Sequence, residues 1–157
     1  VEELIIENLN FLKEKYDYVF TTGGIGPTHD DITALSVAKA FGVELVLNQK
    51  AQRILYDFYG QDNVNDARLK MAYIPFGSRL LNNPVSSAPG FMLENVIVMA
   101  GVPKIMQAMY YAAENLLENG DEVKSEEIVV FATESVIAKF LSFFQDDFKD
   151  ILIGSYP

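Results

Sequence analysis

The sequence predicts an α/β fold in which helices cover a parallel or mixed β-sheet. Helical periodicity alternates with short apolar runs along the chain, and this alternation is typical of βαβ units. A glycine-rich segment follows one of these runs and precedes a helix, which is where ligands bind in open α/β sheets. With 157 residues, half of them hydrophobic, the chain is long enough for one domain with a sizeable core.

The spacing of apolar residues gives the order of the elements. Ile5, Leu9 and Leu12 recur at helical intervals, and Val19-Phe20 is β-branched and aromatic, as in a buried strand. The pattern predicts helices over residues 2–15, 30–41, 49–59, 65–72 and 134–146, and strands over residues 17–22, 128–132 and 151–154. The last helix lies between the last two strands, and these three elements together predict a C-terminal βαβ extension.

The middle of the chain has a different character. Residues 75–89 are rich in Gly, Pro, Ser and Asn, which favour turns. Two apolar runs follow, 90–93 and 96–99, separated by the polar pair at 94–95, and they predict a small β-hairpin. A further helix is predicted to start at Pro103, where the missing N–H of proline costs little.

We interpret residues 1–157 as a single domain. The polar segment 118–127 is a candidate boundary, but its signal is too weak to divide the chain. A domain of this class normally begins with a strand, whereas this chain begins at Val1 and enters a helix directly. We therefore expect an N-terminal truncation, and a C-terminal one stays open because the chain stops just after a predicted strand.

Composition excludes several classes of site and partner. The formal net charge of −10, with no cluster among the 12 Lys and Arg residues, argues against a nucleic-acid partner. The absence of cysteine excludes disulfides, thiolate metal sites and cysteine nucleophiles. Without a signal peptide or an apolar run near 20 residues, we expect a cytoplasmic protein that does not bind membranes.

The segment 21–33 carries the strongest functional signal. Glycines let the backbone approach a phosphate closely, and threonine hydroxyls can donate to its oxygens. The segment lacks the Gly-Lys-Ser/Thr ending of a P-loop and the third glycine of a dinucleotide fingerprint. A tight glycine turn without a ligand is the alternative interpretation. The candidate phosphate-binding residues here are Thr22, Gly23, Gly24, Gly26 and Thr28.

Two carboxylates, Asp30 and Asp31, follow the glycine loop, residues 22–28, at the predicted helix start. One of them could simply cap the helix, which is the commoner reason for Asp at that position. A carboxylate beside a phosphate repels it unless a divalent cation lies between them, and Mg²⁺ prefers oxygen ligands. His29, the single histidine, is interpreted either as an acid, base or phosphate donor or as an exposed loop residue.

Two more turns of small residues lie next to predicted strands. Residues 86–90, Ser-Ser-Ala-Pro-Gly, enter the first hairpin strand, and residues 100–104, Ala-Gly-Val-Pro-Lys, leave the second one. The second turn repeats the arrangement of the glycine loop, so we expect several loops to converge at one sheet edge.

Taken together, these segments resemble the molybdopterin-binding (molybdenum cofactor biosynthesis) domain family. The form Gly-Pro-Thr-His-Asp-Asp at 26–31 is similar to the branch of competence/damage-inducible proteins and the N-terminal domain of eukaryotic FAD synthases. Residues 82–90, 101–103, 133–135 and 154–157 resemble further segments of that branch. Ser86-Ser87 stands where the family commonly has Gly-Thr, and Ala100 replaces the usual Pro.

The resemblance implies a three-layer α/β/α sandwich with a mostly parallel sheet, often assembled into homo-oligomers. It also implies that the glycine loop holds a ligand phosphate, with Ser87, Gly90 and Gly101 completing the pocket. Asp31 matches the family's metal-assisted catalytic carboxylate, and we assign Asp31 and Asp30 as candidate metal ligands. The implied ligand is a phosphorylated small molecule, either molybdopterin or a nucleotide, with Mg²⁺ or another divalent cation.

Three functions remain open from the sequence. The leading hypothesis is a divalent-cation-dependent nucleotide pyrophosphatase of the ADP-ribose or FAD type. The second is adenylyl transfer to molybdopterin, which uses similar parts in the opposite direction. The third is a non-catalytic module that binds a ligand or mediates oligomerisation.

Overall fold

The central strand of the protein is β6 (Val96–Met99), and all four of its side chains are buried in the computed structural model. Strand β1 (Val19–Thr22) pairs with it in parallel. On its other side, β5 (Gly90–Leu93) pairs with it antiparallel, and β4 (Arg79–Leu81) pairs antiparallel with β5. The sheet order is β1-β6-β5-β4, and the parallel pair brings the carboxyl ends of β1 and β6 to one edge.

The structure describes residues 1–156, which divide into two compact units. The first unit is Val1–Asn119, and the second begins at Gly120. A separate antiparallel ribbon, β2 (Leu45–Leu47) with β3 (Tyr73–Pro75), belongs to the first unit. The helices of the first unit are α1 (Glu2–Lys15), α2 (Thr33–Phe41), α3 (Gln49–Tyr59), α4 (Asp66–Lys70) and α5 (Pro103–Glu114).

The sheet is covered on both faces. Along β6, Val96 and Val98 pack in one cluster with residues of α1, α2 and α3, such as Leu55. Ile97 and Met99 pack in a second cluster with residues of α5, including Met109 and Ala113. Because successive strand residues point to opposite faces, the two clusters lie on opposite sides of the sheet. The α/β class and its three layers are thereby confirmed.

Local sequence explains where several helices begin and end. The side chain of Asn48 accepts hydrogen bonds from the amides of Lys50 and Ala51, both at 3.0 Å, and so caps the start of α3. Gly42 ends α2 in the left-handed conformation, at φ 64°, which glycine adopts without steric cost. The predicted helices over 2–15 and 49–59 have the observed bounds.

The hairpin over 90–93 and 96–99 is also confirmed. The parallel pairing applies to β1 and β6, whereas the hairpin and β4 contribute antiparallel pairings because short turns connect them. The sequence did not predict β2, β3 or β4, each of which has only three residues. A strand of this length is too short to give a periodic pattern.

The helix predicted over 30–41 begins later, at Thr33. Its N-cap residue is Ile32, and no side chain caps it. The alternative interpretation, in which one of the two aspartates caps this helix, is therefore wrong. The carboxylates of Asp30 and Asp31 instead lie against the hydroxyl of Thr28.

The second unit contains α6 (Glu134–Asp147). Within its described part, up to residue 156, neither 128–132 nor 151–154 forms a strand, so the predicted βαβ extension is wrong. A strand needs a partner to satisfy its backbone groups, and neither segment pairs with another strand. The side chain of Gln145 ties the end of the unit to α6, accepting from the amide of Ile153 at 2.9 Å.

Between residues 1 and 156 no helix combines the length and the apolar character that crossing a membrane requires.

Candidate functional site

The glycine loop connects β1 to α2 and begins in a conformation that requires glycine. Gly23 and Gly24 have φ values of 90° and 70°, in the left-handed region. A Cβ on Gly24 would lie 2.1 Å from the hydroxyl oxygen of Thr33. That hydroxyl donates to the carbonyl of Gly23 at 3.0 Å, and the amide of Thr33 donates to the carbonyl of Gly24 at 2.9 Å. The first turn of α2 therefore fixes the loop.

The loops that follow β1 and β6 are in direct contact. The amide of Gly23 donates to the carbonyl of Met99 at 2.8 Å, which extends the pairing of the two strands. A Cβ on Gly101 would lie 3.2 Å from the Cα of Gly23. The expected convergence of these two loops at one sheet edge is thus confirmed.

Asp31 holds the far end of the glycine loop. The amide of Thr28 donates to Asp31 Oδ2 at 2.9 Å, and the Thr28 hydroxyl oxygen lies 2.6 Å from the same atom. The Thr28 hydroxyl oxygen also lies 2.7 Å from Asp30 Oδ1. One hydroxyl proton can serve only one of these carboxylates at a time. The hydroxyl oxygen of Thr28 and one carboxylate oxygen each of Asp30 and Asp31 therefore share one proton just before the start of α2.

The environment of the two carboxylates favours their charged forms. Burial raises the pKa of Asp31, but the hydrogen bonds from Thr28 and Gly26, together with the nearby Lys70 charge, outweigh it and leave the pKa below its ordinary value. For Asp30, the hydrogen bond from the Thr28 hydroxyl is the main cause that lowers the pKa. Both carboxylates are consequently ionised at neutral pH.

Lys70 is a site residue that the sequence interpretation missed. It lies at the end of α4, and its Nζ donates to the carbonyl of Thr28, 42 positions away in the sequence. Its charge also acts on Asp31. A single lysine near the end of a short helix carries no local signal of this contact, because only the packing of α4 brings it to the loop.

A cavity of about 290 Å³ lies beside the glycine loop. Of the predicted site residues, Gly24, Gly26 and Asp31 line it, and His29 lines it too. Lys70 of α4 also lines it, and the rest of its wall is apolar and comes from α2, β2, β3, β5 and the segments next to them. These lining residues include Ile25, Ile32, Ala34, Leu35, Leu45, Met71, Tyr73, Ile74, Pro89 and Phe91.

The start of α2 faces this cavity. Ala34 and Leu35, in the first turn of the helix, both line it. The amide of Thr33 is used by the Gly24 carbonyl, but no side chain caps α2, so the amides of Ala34 and Leu35 are available to an anion, which a helix N-terminus favours. The cavity is thus surrounded by the glycine loop, the start of α2, the carboxylate of Asp31 and the ammonium group of Lys70.

A family model described as a probable molybdopterin binding domain matches residues 1–119. The chain belongs to this family. The matched molybdopterin-binding domain contains the whole site described above.

The curated relatives of this molybdopterin-binding domain include one named as CinA-like. A CinA-like protein of Sulfurihydrogenibium is 33% identical over 162 residues, covering 96% of this chain and 40% of the relative. A protein of Archaeoglobus fulgidus is 35% identical, with coverage of 98% and 66%. A protein of Pyrococcus furiosus is 41% identical, with coverage of 69% and 47%. The chain thus spans between two fifths and two thirds of these relatives.

A solved structure supports the same relationship. The crystal structure of the protein CinA, of unknown function, from Thermoplasma acidophilum is 36% identical. It aligns with a TM-score of 0.67 over 73% of this chain and 71% of that chain. Fold and family therefore agree with the resemblance read from the sequence.

In this molybdopterin-binding domain, Ser87 lies in a turn that Asn83 organises. Asn83 is buried, and its Nδ2 donates to the Ser86 hydroxyl at 2.7 Å and to the Ala88 carbonyl at 2.8 Å. Its Oδ1 accepts from the amides of Val85 and Ser86. Ser87 has a φ of 60°, which is unfavourable for a residue with a Cβ. Asn83 was not a predicted site residue.

The remaining predicted ligand residues do not line the cavity. Gly23 and Gly101 lie at the meeting point of the two loops, Thr22 ends β1 opposite Met99, and Thr28 contacts Asp31 and Lys70. Gly90 begins β5, and a Cβ there would lie 2.4 Å from the carbonyl oxygen of Val98. This contact gives Gly90 a packing role whatever its part in ligand binding.

The side chains beside the glycine loop offer carboxylate oxygens to a divalent cation. Among residues 1–156, no three His, Cys, Asp or Glu side chains form a metal-binding group. Mg²⁺, however, is commonly held by one or two carboxylates together with substrate phosphates. Asp30 and Asp31, which crowd around one hydroxyl proton, fit that mode of binding.

Proposed function

We propose that this molybdopterin-binding-type domain is a divalent-cation-dependent nucleotide pyrophosphatase that acts on ADP-ribose or FAD. The observation that carries the proposal is the position of Asp31 on the wall of the cavity, between the glycine loop and the start of α2. Because the chain spans only part of its curated relatives, the proposal concerns the chain described above.

The cavity supports a ligand with two chemically different parts. Its apolar wall, with Tyr73 and Phe91, suits a planar ring. The glycine loop and the uncapped start of α2 suit a phosphate group. A nucleotide combines both parts, and so does a phosphorylated pterin.

The roles of the chain's residues follow from this arrangement. The backbone of Gly24 and Gly26 and the first-turn amides of α2 would orient the phosphates. Asp31, assisted by Asp30, would hold Mg²⁺ or another divalent cation. When bound, such a cation neutralises phosphate charge and makes a bound water more acidic. His29 lines the same cavity, and an acid–base role for it remains part of the proposal.

The test is hydrolysis by the whole 157-residue chain. We expect AMP to be released from ADP-ribose or FAD when Mg²⁺ is present and EDTA to stop its release. Asp31→Asn should abolish release, whereas Asp62→Asn, a change in an exposed carboxylate outside the cavity, should not alter it. Circular dichroism would verify that both variants are folded.

Two outcomes would overturn the pyrophosphatase. Transfer of AMP from ATP to molybdopterin, without hydrolysis of ADP-ribose or FAD, would favour the adenylyltransferase. Tight pterin or nucleotide binding with no turnover would favour the non-catalytic module. Light scattering of the same sample would measure the homo-oligomer that we also expect.

A further inference from the structure

The cavity wall contains a cation whose charge is only partly compensated. Lys70 Nζ donates to a single backbone carbonyl, that of Thr28. The ion pair formed among residues 1–156 is Lys39 with Glu2, at 2.8 Å. Lys70 forms no ion pair with a carboxylate in this part of the chain, residues 1–156, and Asp31 Oδ2 lies against the amide and hydroxyl of Thr28. An ammonium group has three donors, so two of them remain for a ligand.

The charge of the chain makes this cation significant. A formal net charge of −10 repels phosphorylated ligands. Of the residues that line the cavity, Lys70 carries the positive charge, with His29 as the other basic side chain. A phosphate that enters the cavity meets Asp31 as well, so it needs a nearby positive charge.

The size of the cavity limits how much of ADP-ribose or FAD can lie inside it. About 290 Å³ lies at the lower end of the range for small-molecule pockets. That volume suits one ring with its sugar and phosphate better than both halves of ADP-ribose or FAD. The apolar residues Leu45, Met71 and Tyr73 are available to the ring, and the charged part of the wall to the phosphate.

We infer that Lys70 determines specificity by binding the phosphate of a nucleoside monophosphate unit in this cavity, with the two donors that its bond to the Thr28 carbonyl leaves free. The cavity thereby selects a phosphorylated ring over the same ring without phosphate. The inference rests on the proposed function for its ligand class, but it concerns recognition and not hydrolysis. It also assigns a role to a side chain that the metal-assisted chemistry does not use.

Calorimetric titration of the whole chain with AMP and with adenosine, in EDTA, tests this inference. We expect wild type to bind AMP more tightly than adenosine. Lys70→Met should weaken AMP binding by about tenfold to hundredfold, as expected for a lost charged hydrogen bond, and leave adenosine binding unchanged. Lys70→Arg should keep the preference, and Lys50→Met, an exposed lysine outside the cavity, should behave as wild type.

A second variant separates charge from folding. Lys70→Gln can still donate to the Thr28 carbonyl, so it preserves the loop contact and removes only the charge. It should lose the AMP preference as Lys70→Met does. If Lys70→Gln binds AMP as tightly as wild type, or if both ligands weaken equally, the inference is wrong. It is also overturned if wild type binds neither ligand.

The two proposals fail in different ways. AMP preference that depends on Lys70, without release of AMP from ADP-ribose or FAD, would leave the recognition role and overturn the pyrophosphatase. Hydrolysis of ADP-ribose or FAD that persists in Lys70→Gln, together with unchanged AMP affinity, would support the pyrophosphatase and overturn the recognition role of Lys70. Inorganic phosphate should compete with AMP in wild type and lose this effect in Lys70→Gln.

Discussion

Thr28 directs both its amide and its hydroxyl to one oxygen of Asp31, at 2.9 and 2.6 Å. The contact joins residues 28 and 31 and so closes the glycine loop on itself just before α2 begins at Thr33. A carboxylate expected from the sequence to serve the helix or a metal thus also holds the loop in shape. Substitutions of Asp31 will therefore affect loop structure as well as chemistry.

The first prediction concerns pH. The folded-state pKa of Asp31 lies below its unfolded value, so the stabilising effect of its charge is complete above about pH 4 and is lost as pH falls through the folded pKa. The stability difference between wild type and Asp31→Asn should therefore shrink below about pH 4. Urea unfolding of both proteins between pH 7 and 3 would measure it. A difference that grows on acidification would contradict the prediction.

The second prediction concerns Gly26. A Cβ there would lie 2.7 Å from Asp31 Oδ2, and the carboxylate can move away more easily than backbone can. Gly26→Ala should therefore displace Asp31 and abolish AMP release, while costing less than about 1 kcal/mol of stability, as expected for a site outside the core. Gly120→Ala, with no heavy atom within 4 Å of the added Cβ, is the matched control. Full activity in Gly26→Ala would show that the position of Asp31 is unimportant.

The third prediction concerns Gly90. Its added Cβ would meet the Val98 carbonyl oxygen at 2.4 Å, and the backbone of the central strand cannot move away. Gly90→Ala should lower the free energy of unfolding by about 1–3 kcal/mol, as overpacking does. Denaturant unfolding would measure the loss, and AMP titration of the remaining folded protein should give nearly unchanged affinity. Unchanged stability with lost affinity would instead favour the ligand role expected from the sequence.

The fourth prediction concerns Asn83. Its buried side chain makes four hydrogen bonds within the turn that carries Ser87. Asn83→Ala should cost about 1–3 kcal/mol, because backbone amides and a carbonyl lose their partners. Asn82→Ala, an exposed neighbour, should change stability by less than about 0.5 kcal/mol. Thermal unfolding of the pair would reveal the difference, and equal melting temperatures would contradict the role of Asn83.

Local patterns in the sequence were sufficient for the glycine loop and the hairpin. Gly23 and Gly24 occupy left-handed positions that only glycine fills without strain, so their presence between a strand and a helix is informative. The runs at 90–93 and 96–99 are adjacent in the sequence and pair with each other. In both cases the determining interactions are local.

The elements that were missed depend on distant partners. Lys70 reaches Thr28 only because α4 packs beside the loop, and β2 forms only where β3 lies next to it. Conversely, the run at 128–132 has the composition of a strand but has no pairing partner among the described residues. Composition gives a tendency to extend, whereas a sheet also needs a neighbour.

The contact between Gly23 and Gly101 limits how the ligand preference of such a site can be altered. The loops after β1 and β6 meet through backbone atoms, with 3.2 Å between a Cβ added at Gly101 and the Cα of Gly23, so side-chain variation there would separate them. Redesign for another ring must therefore use the apolar side chains that line the cavity, such as Leu45, Met71 and Tyr73. The backbone that faces the phosphate would then stay the same, while the side chains that face the ring change.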